Sequence, residues 1–193
     1  MFKRISFCLA VALLLGLSIN SVQAQQRGGV LKFATPSVKP GLDPARTRTG
    51  DAYMLTALIF SNLTRISHEL KPEPQLAEKW EPNADSSEWT FYLRKDAKFH
   101  NGRQVVASDV KFSIDETFST VFGQVYFDSW IESVEVVNPL EMIIHHREVF
   151  TNANLVSLVW FRIRPAHYWS TRDPRKPTLV PPLASGPYRI AAF

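Results

Sequence analysis

Ser108 and Lys111 stand three residues apart in the run Ser108-Asp109-Val110-Lys111, which has the Ser-x-x-Lys spacing of one class of acyl-transfer enzymes. On a helix this spacing brings a lysine one turn from a serine, where a neutral amine can accept the proton of an attacking hydroxyl. The sequence contains no Lys-Thr-Gly or Ser-Asp-Asn run to complete such a site. Ser108 also precedes a periodic apolar segment, which favours a role as the helix N-cap. The sequence therefore favours a helix cap at Ser108, and an exported serine hydrolase that uses Ser108 and Lys111 is the alternative.

The histidines do not form a metal-binding pattern. His145 and His146 are adjacent in a predicted strand, so their side chains point to opposite faces of the sheet and cannot share one ion. His68, His100 and His167 are isolated, with no His-Glu-x-x-His motif and no cysteine pair beside them. The sequence also lacks a Gly-x-Gly-x-x-Gly or phosphate-loop motif. The favoured prediction is a protein with no catalytic residues, no metal site and no cofactor.

The run from Glu88 to Gly102, EWTFYLRKDAKFHNG, has the alternation of a half-buried strand. Trp89, Phe91 and Leu93 fall on one face, which we expect to lie in the core. Asn101-Gly102 is typical of a tight turn. This stretch is predicted to be scaffold rather than a catalytic loop or a ligand platform.

Two predicted helices would position the polar segments. The first begins at Asp51, whose carboxylate can cap the first turn, and the second begins at Ser108. Each carries an apolar stripe that should pack on a core. The first stripe comprises Met54, Leu55, Leu58, Ile59 and Leu63, and the second comprises Val110, Ile114 and Phe118.

The other predicted elements are mostly strands, so the fold class is α+β. The strand that begins at Tyr188 stops at Phe193, and we interpret this as a truncated chain, with pairing back onto 31–35 as the alternative. The remaining elements are strands over 31–35 and 160–164, a short helical turn over 75–78, a hairpin joining 134–136 to 142–144, and a helix over 152–159.

The first 24 residues have the pattern of a secretory signal peptide. Lys3-Arg4 precedes an apolar stretch over 5–17, and Val22-Gln23-Ala24 is a small-residue cleavage pattern. The only cysteine, Cys8, lies inside this segment, so the mature chain would have no disulfide. Gln25 follows the cleavage site in place of a lipid-anchoring cysteine. We therefore predict a soluble periplasmic protein without a lipid anchor.

The charge balance excludes one class of partner. Removal of residues 1–24 lowers the formal net charge from +4 to +2, because this segment contains Lys3 and Arg4 but no aspartate or glutamate. The remaining lysines and arginines are scattered along the chain, so we expect no binding to nucleic acid.

Seven short motifs, in order along nearly all of the mature chain, resemble family 5 of the bacterial extracellular solute-binding proteins, the peptide, dipeptide and nickel receptors of ABC importers. The match is specific because all seven occur in the right order. They are Gly28-Gly29-Val30-Leu31, Leu42-Asp43-Pro44, Ile59-Phe60-Ser61-Asn62-Leu63, Pro74-Gln75-Leu76-Ala77-Glu78-Lys79-Trp80, the run from Trp89 to Gly102, Ala107-Ser108-Asp109-Val110-Lys111-Phe112-Ser113 and Ser185-Gly186-Pro187-Tyr188.

The resemblance implies a two-lobed fold of the type II periplasmic binding-protein kind, of which this chain holds the N-terminal portion. The signal peptide would occupy 1–24, the first part of lobe one 25–60, an inserted α+β domain 61–180, and the return to lobe one 181–193. It also implies a monomeric receptor that binds a small solute, a peptide by default, and delivers it to the membrane permease of an ABC importer. The second lobe would be absent, so we expect weak solute binding or none.

The resemblance places the ligand contacts after Leu42-Asp43-Pro44, where Thr47, Arg48, Thr49 and Asp51 are the candidate residues. Family members that bind a free amine carry an acid at the position of Arg48, so amine recognition there is in doubt. Arg48 suits a carboxylate or a phosphate, which its planar guanidinium can bind with two hydrogen bonds. Asp51 can supply an acid, although its role as a helix cap competes. A free-standing interaction module is a third function, favoured if the gene stops after Phe193.

Overall fold

The computed structural model describes residues 32, 42–46, 50–120, 130–151, 158, 161–172 and 182–191. Residues Thr35–Phe193 form one compact unit, and Met1–Ala34 form another of which only Lys32 is described. The predicted signal peptide lies outside the described residues. So do nearly all of the predicted strand over 31–35 and of the predicted helix over 152–159.

The described residues contain both helices and antiparallel strands, which confirms the α+β prediction. Strands β1 and β2 form a two-stranded sheet, and strands β3 to β6 form a four-stranded antiparallel sheet in the order β3-β4-β6-β5. The elements are α1 (Gly50–Ile59), β1 (Thr64–Ile66), β2 (Pro72–Pro74), β3 (Ala77–Pro82), β4 (Glu88–Leu93), α2 (Ala107–Phe118), β5 (Ile131–Asn138), β6 (Glu141–His146) and α3 (Ala166–Trp169).

Strand β4 lies inside the four-stranded sheet, between β3 and β6. Trp89, Phe91 and Leu93 are buried while the residues between them are half-exposed, as predicted. Gly102 forms the predicted turn with a φ of 85°, a conformation that favours glycine, and its N–H donates to the Phe99 carbonyl at 2.8 Å. The stretch therefore supplies an inner strand of the sheet and the turn that follows it.

The predicted hairpin is also present, as strands β5 and β6. Val134 pairs with Ile144 and Val136 with Met142, and Asn138 Oδ1 accepts the Leu140 N–H in the connecting turn. Helix α2 contacts β5 and buries Val110 and Ile114.

We call the main apolar cluster of these elements the sheet core. Because β4 and β6 alternate buried and half-exposed side chains, one face of the sheet enters this core. The sheet core includes Leu63, Trp89, Phe91, Leu93, Val105, Val110, Ile114, Ile131, Val134, Met142, Ile144, Phe150, Phe161 and Ile163.

A second apolar cluster, the α1 core, lies around the end of α1. Leu55, Phe112, Tyr168 and Ile190 pack against it while partly buried. It consists of Leu42, Ile59, Phe60, Trp169 and Ala184.

The predicted stripe of α1 is only partly correct. The buried face of the helix consists of Ala52, Thr56 and Ile59, while Met54 and Leu58 are 60% and 38% exposed. Ile59 of the predicted stripe is buried and Leu55 packs against the α1 core, so periodicity predicted a stripe wider than the face that is buried.

Three predicted segments are wrong because long-range backbone bonds decide their conformation. The predicted helical turn over 75–78 instead leads into β3, and the Leu76 N–H donates to the Asn62 carbonyl. Residues 161–164, the described part of the strand predicted over 160–164, form no regular strand, although the Ile163 N–H donates to the Ser61 carbonyl. The described residues after Gly186 are also not a strand, and the Tyr188 N–H donates to Leu58 at the end of α1.

Candidate functional site

The turn over 42–46 comes directly before the candidate ligand segment in the sequence. Asp43 determines its conformation. Asp43 Oδ1 accepts the Ala45 N–H at 3.0 Å, and the Asp43 carbonyl accepts the Arg46 N–H at 3.1 Å. The Arg46 guanidinium also lies 3.5 Å from Asp43 Oδ2. A carboxylate that bonds the backbone two residues later fixes the local turn. Leu42, which is buried, anchors the start of the turn in the α1 core.

Arg164 holds this turn from inside the protein. Its Nη1 donates to Asp43 Oδ1 at 3.1 Å, and its side chain is only 2% exposed. Its Nη2 lies 3.4 Å from the Ser113 carbonyl, and its guanidinium carbon is 5.5 Å from the ring centres of both Phe112 and Trp169. Burial lowers the pKa of Arg164, and the charge of Asp43 opposes this effect. The guanidinium is therefore fixed by a carboxylate, a helix carbonyl and two aromatic rings.

The backbone at Arg164 is fastened to α2. The Arg164 N–H donates to Ser113 Oγ at 2.8 Å, and this hydroxyl donates to the Asp109 carbonyl at 2.7 Å. The buried Asp109 carboxylate accepts the Val106 N–H at 3.1 Å and the Ala166 N–H at 2.8 Å. One carboxylate thus satisfies backbone donors at the starts of both α2 and α3.

The predicted role of Ser108 as an N-cap is wrong. Helix α2 begins at Ala107 with Val106 as its N-cap, and Asp109 reaches back to the Val106 N–H. Ser108 is exposed in the first turn, and Lys111 Nζ forms an ion pair with Asp115 Oδ2 at 2.9 Å. The cap moves because the third helical residue carries a carboxylate that can bond back to the N-cap position.

A second arginine, Arg162, lies beside the first turns of α1. Its Nη1 donates to Asn62 Oδ1 at 2.8 Å, and its guanidinium carbon is 4.5 Å from the centre of the Tyr53 ring. Burial lowers the pKa of Arg162. Arg162 therefore fixes the ring of Tyr53, two residues after Asp51.

The sequence analysis did not predict that Arg162 and Arg164 are buried. They alternate with Phe161 and Ile163 in a run that ends at Pro165, and all five residues are buried. The available signal was two arginines at alternate positions of an apolar run, since charged side chains are buried only when they have partners.

The structure describes one of the four candidate ligand residues. Thr47, Arg48 and Thr49 lie outside the described residues. Asp51 is half-buried in the first turn of α1, the positive end of the helix dipole. In the sequence, the turn over 42–46 precedes the other three candidate residues and Asp51 follows them.

The histidines occupy separate places. His145 on β6 contacts Glu88 Oε1 at 3.1 Å and Glu135 Oε2 at 3.4 Å, while His146, on the other face as predicted, is buried and stacks on Phe150 at 3.8 Å between ring centres. His100 Nε2 lies 2.9 Å from the Gly186 carbonyl. Among the described residues, no group of three or more potential ligands is placed to hold a metal ion.

Comparison with solved structures identifies the fold class of the protein. A structure of NikZ from Campylobacter jejuni in complex with Ni(L-His) matches with a TM-score of 0.68 and 26% identity, over 81% of this chain and 31% of that one. DppA from Helicobacter pylori in complex with the peptide STSA matches with a TM-score of 0.65 and 21% identity, over 80% and 35%. The chain has the N-terminal portion of the type II periplasmic binding-protein fold.

The sequence comparison then gives the family. Residues 71–193 match "Bacterial extracellular solute-binding proteins, family 5 Middle", so the chain belongs to family 5 of the bacterial extracellular solute-binding proteins. It is 28% identical over 176 residues to the probable peptide-binding protein YejA of Agrobacterium fabrum, which covers 86% of this chain and 28% of that protein. It is also 33% identical over 110 residues to di/tripeptide-binding protein 1 of Pseudomonas aeruginosa, which covers 53% and 20%.

This chain is much shorter than the relatives that it matches. The chain spans 20–28% of these two relatives' lengths, and they are named as binding proteins rather than enzymes. They give no support to the serine hydrolase alternative. In the part of the chain that the structure describes, no helix is long and apolar enough to cross a membrane.

Proposed function

We propose that this protein is an extracytoplasmic receptor of an ABC importer that binds peptides or similar small solutes. The observation that supports it most is the family match over residues 71–193. The receptor breaks no bond in the solute. It passes the solute to a membrane permease, and ATP hydrolysis elsewhere in the importer supplies the energy.

Peptides are the proposed solute class because several relatives are named for peptides, among them di/tripeptide-binding protein 1 and dipeptide-binding proteins. The NikZ complex with a nickel-histidine chelate shows that a related protein takes a different small solute. Both kinds of ligand carry ionised amino-acid groups, which polar residues in a cleft can pair and desolvate.

The proposed contacts are Thr47, Arg48, Thr49 and Asp51. Arg48 would bind a carboxylate with two hydrogen bonds, and the threonine hydroxyls would complete the polar contacts. Asp51, which lies in the first turn of α1, would pair with an amine of the solute. A solute with one carboxylate and one amine, such as a short peptide, meets all of these groups.

We further propose the domain order from the sequence: a signal peptide over 1–24, lobe one over 25–60 and 181–193, and an inserted domain over 61–180. The mature receptor is monomeric, periplasmic and free of a lipid anchor. Its solute is enclosed between two lobes that close around it, and closure signals occupancy to the permease.

In this proposal the present chain supplies part of lobe one and the inserted domain. Met54, Leu58 and Tyr188 are 60%, 38% and 62% exposed, and the Tyr188 N–H bonds to Leu58, so these apolar side chains lie on neighbouring backbone. A polypeptide of the relatives' length has further residues to cover such a surface.

Calorimetric titration tests the proposal. Residues 25–193 and the full product of the gene would be titrated with dialanine, trialanine and nickel-histidine. We expect weak or no binding to residues 25–193, and binding of a peptide to the full product. Tight peptide binding by residues 25–193 would contradict the two-lobe mechanism, and no binding of any probe by the full product would contradict the receptor function. Turnover of an ester or a β-lactam that disappears in Ser108→Ala would support the hydrolase instead.

A further inference from the structure

The segment that joins β4 to α2 carries an excess of positive charge. Residues 94–104, which we call the basic loop, contain four lysines and arginines and one aspartate, which is a formal charge of +3. The chain after residue 24 has a formal charge of +2, so the rest of it sums to −1. The positive excess of the predicted mature chain therefore lies in the basic loop.

Three cations of the basic loop have no counter-ion. Arg94 is neutralised, because its Nη2 lies 2.8 Å from Asp96 Oδ2. Lys95, Lys98 and Arg103 are exposed, and in the part of the chain that the structure describes no carboxylate lies within ion-pair distance of them. Their charges are therefore available to a partner.

Several exposed cations elsewhere are neutralised in pairs. Each of them lies 2.7–3.0 Å from the carboxylate of a nearby acid, and they are Arg65, Lys71, Lys79 and Lys111. The field of a paired cation is largely cancelled by its acid, whereas an unpaired cation attracts negative charge at distances up to about a Debye length. The basic loop is thus the place where an anionic partner gains most.

The basic loop also has a fixed shape. Phe99 and Val105 are buried in the sheet core. The Phe99 N–H donates to the Arg103 carbonyl at 2.8 Å, and Gln104 Nε2 donates to the Lys95 carbonyl at 3.2 Å. Because the backbone is already ordered, a partner that binds the loop loses little free energy in ordering it.

We propose that the basic loop docks on acidic extracytoplasmic loops of the importer's permease. Loops on the outer side of a membrane protein carry few lysines and arginines, while acids are not selected against there. Acids on such loops therefore have few cations of their own to pair with, and the basic loop supplies three. This inference rests on the proposed function, because it takes the partner to be a permease.

An anionic bilayer is the competing partner, and the size of the charge cluster argues against it. Segments that bind anionic lipid carry about four to eight clustered lysines and arginines. The basic loop offers only three unpaired ones. Complementary charges between two proteins act mainly by speeding and orienting the encounter, for which few charges are enough. A receptor that delivers its solute and leaves again needs this kind of contact.

Two triple variants of the full gene product separate the basic loop from the overall charge. The loop variant combines Lys95→Gln, Lys98→Gln and Arg103→Gln. The control variant combines Arg65→Gln, Lys71→Gln and Lys79→Gln, which removes the same residue types from exposed ion pairs. Fluorescence anisotropy measures binding of a labelled hexaglutamate peptide, and sedimentation measures binding to vesicles of phosphatidylglycerol.

At low salt we expect the Kd for hexaglutamate to rise about tenfold in the loop variant and to stay within about twofold in the control variant. Binding should weaken as the salt concentration approaches about 0.15 M, because the charges are then screened. An equal change in both variants would overturn the proposal, since overall charge would then explain it. No binding of hexaglutamate by the unaltered protein, or vesicle binding that only the loop variant loses, would overturn it too, and the second result would point to the bilayer.

Uptake of dialanine by cells that carry each variant gives the functional readout, with calorimetry for the Kd of dialanine. We expect uptake through the loop variant to fall about fivefold at an unchanged Kd, and uptake through the control variant to stay the same. If uptake does not fall in the loop variant, the docking role fails and the receptor function stands. If the unaltered protein neither binds nor imports dialanine, the proposed solute class fails, and the hexaglutamate titration still decides whether the basic loop binds acids.

Discussion

The sheet core and the α1 core draw their side chains from very different distances along the chain. The sheet core joins strands and a helix that follow one another between Leu63 and Ile163. The α1 core instead joins Leu42, the end of α1, Trp169 and Ala184. A buried ion pair adjoins the α1 core, with Arg164 in contact with the ring of Trp169.

The two cores should therefore respond differently to substitution. A core formed by adjacent strands is specified by local alternation and short turns, and its loss should unfold the protein as a unit. The α1 core depends on close approaches and polar contacts between distant segments, so it should loosen on its own at lower cost.

The largest expected effect comes from the centre of the sheet core. Phe91→Ala removes a fully buried ring and should lower the free energy of unfolding by about 3–5 kcal/mol. The urea concentration at the midpoint of unfolding should fall by the same amount whether it is measured by tryptophan fluorescence or by circular dichroism. Tyr92→Ala, on the other face of β4, is the control and should cost less. Separate transitions for the two probes would show that the sheet is not one cooperative unit.

A smaller and local effect is expected at the α1 core. A Cβ at Gly186 would lie 2.5 Å from the Ile59 carbonyl carbon, so Gly186→Ala forces the two backbones apart. We expect a loss of about 1–3 kcal/mol and faster hydrogen exchange over 50–60, with β4 unchanged. Gly50→Ala is the matched control, since its Cβ would meet nothing within 4 Å. If β4 exchanged equally faster, the two cores would not be separable.

The smallest effect is the pH dependence of the sheet core. Burial lowers the pKa of His146 from about 6.5 to about 4, so the folded protein holds this ring neutral. The unfolded chain takes up the proton first, and stability that is present above pH 6.5 is lost as the pH falls towards 4. We expect a loss of about 1–2 kcal/mol over this range, less than the full linkage value because solvent near the ring screens its charge.

Unfolding at several pH values checks this prediction. His146→Phe retains an aromatic ring against Phe150 and should flatten the pH dependence between 6.5 and 4. His68→Ala, at an exposed position, should leave the dependence unaltered. A slope that persists in His146→Phe would assign the pH dependence to other groups.

The parts of the fold that sequence reasoning predicted are those decided within a few residues. The alternation of Trp89, Phe91 and Leu93, the turn at Gly102 and the hairpin around Asn138 all follow from periodicity and turn chemistry. The face of α1 did not follow, because its apolar stripe is wider than the surface it buries.

Long-range partners explain the remaining failures. Asp109 bonds back to the N-cap Val106, three residues earlier, and its carboxylate also accepts the Ala166 N–H, 57 residues later, a contact that no local pattern predicts. The burial of Arg164 depends on Asp43, 121 residues earlier. The residue types at the candidate site were readable from the sequence, but the ion pair that holds the preceding turn required coordinates.

The bond between Ser61 and Ser185 sets an order of events during synthesis. The Ser61 hydroxyl donates to the Ser185 carbonyl, 124 residues later, and the nearby Ile59 carbonyl accepts the Gly186 N–H. At about 5–20 residues per second, a ribosome needs roughly 6–25 s to supply these partners after Ser61 is made. The strands β3 to β6 are complete before then, so a growing chain can assemble its sheet while the end of α1 still waits for the residues that complete it.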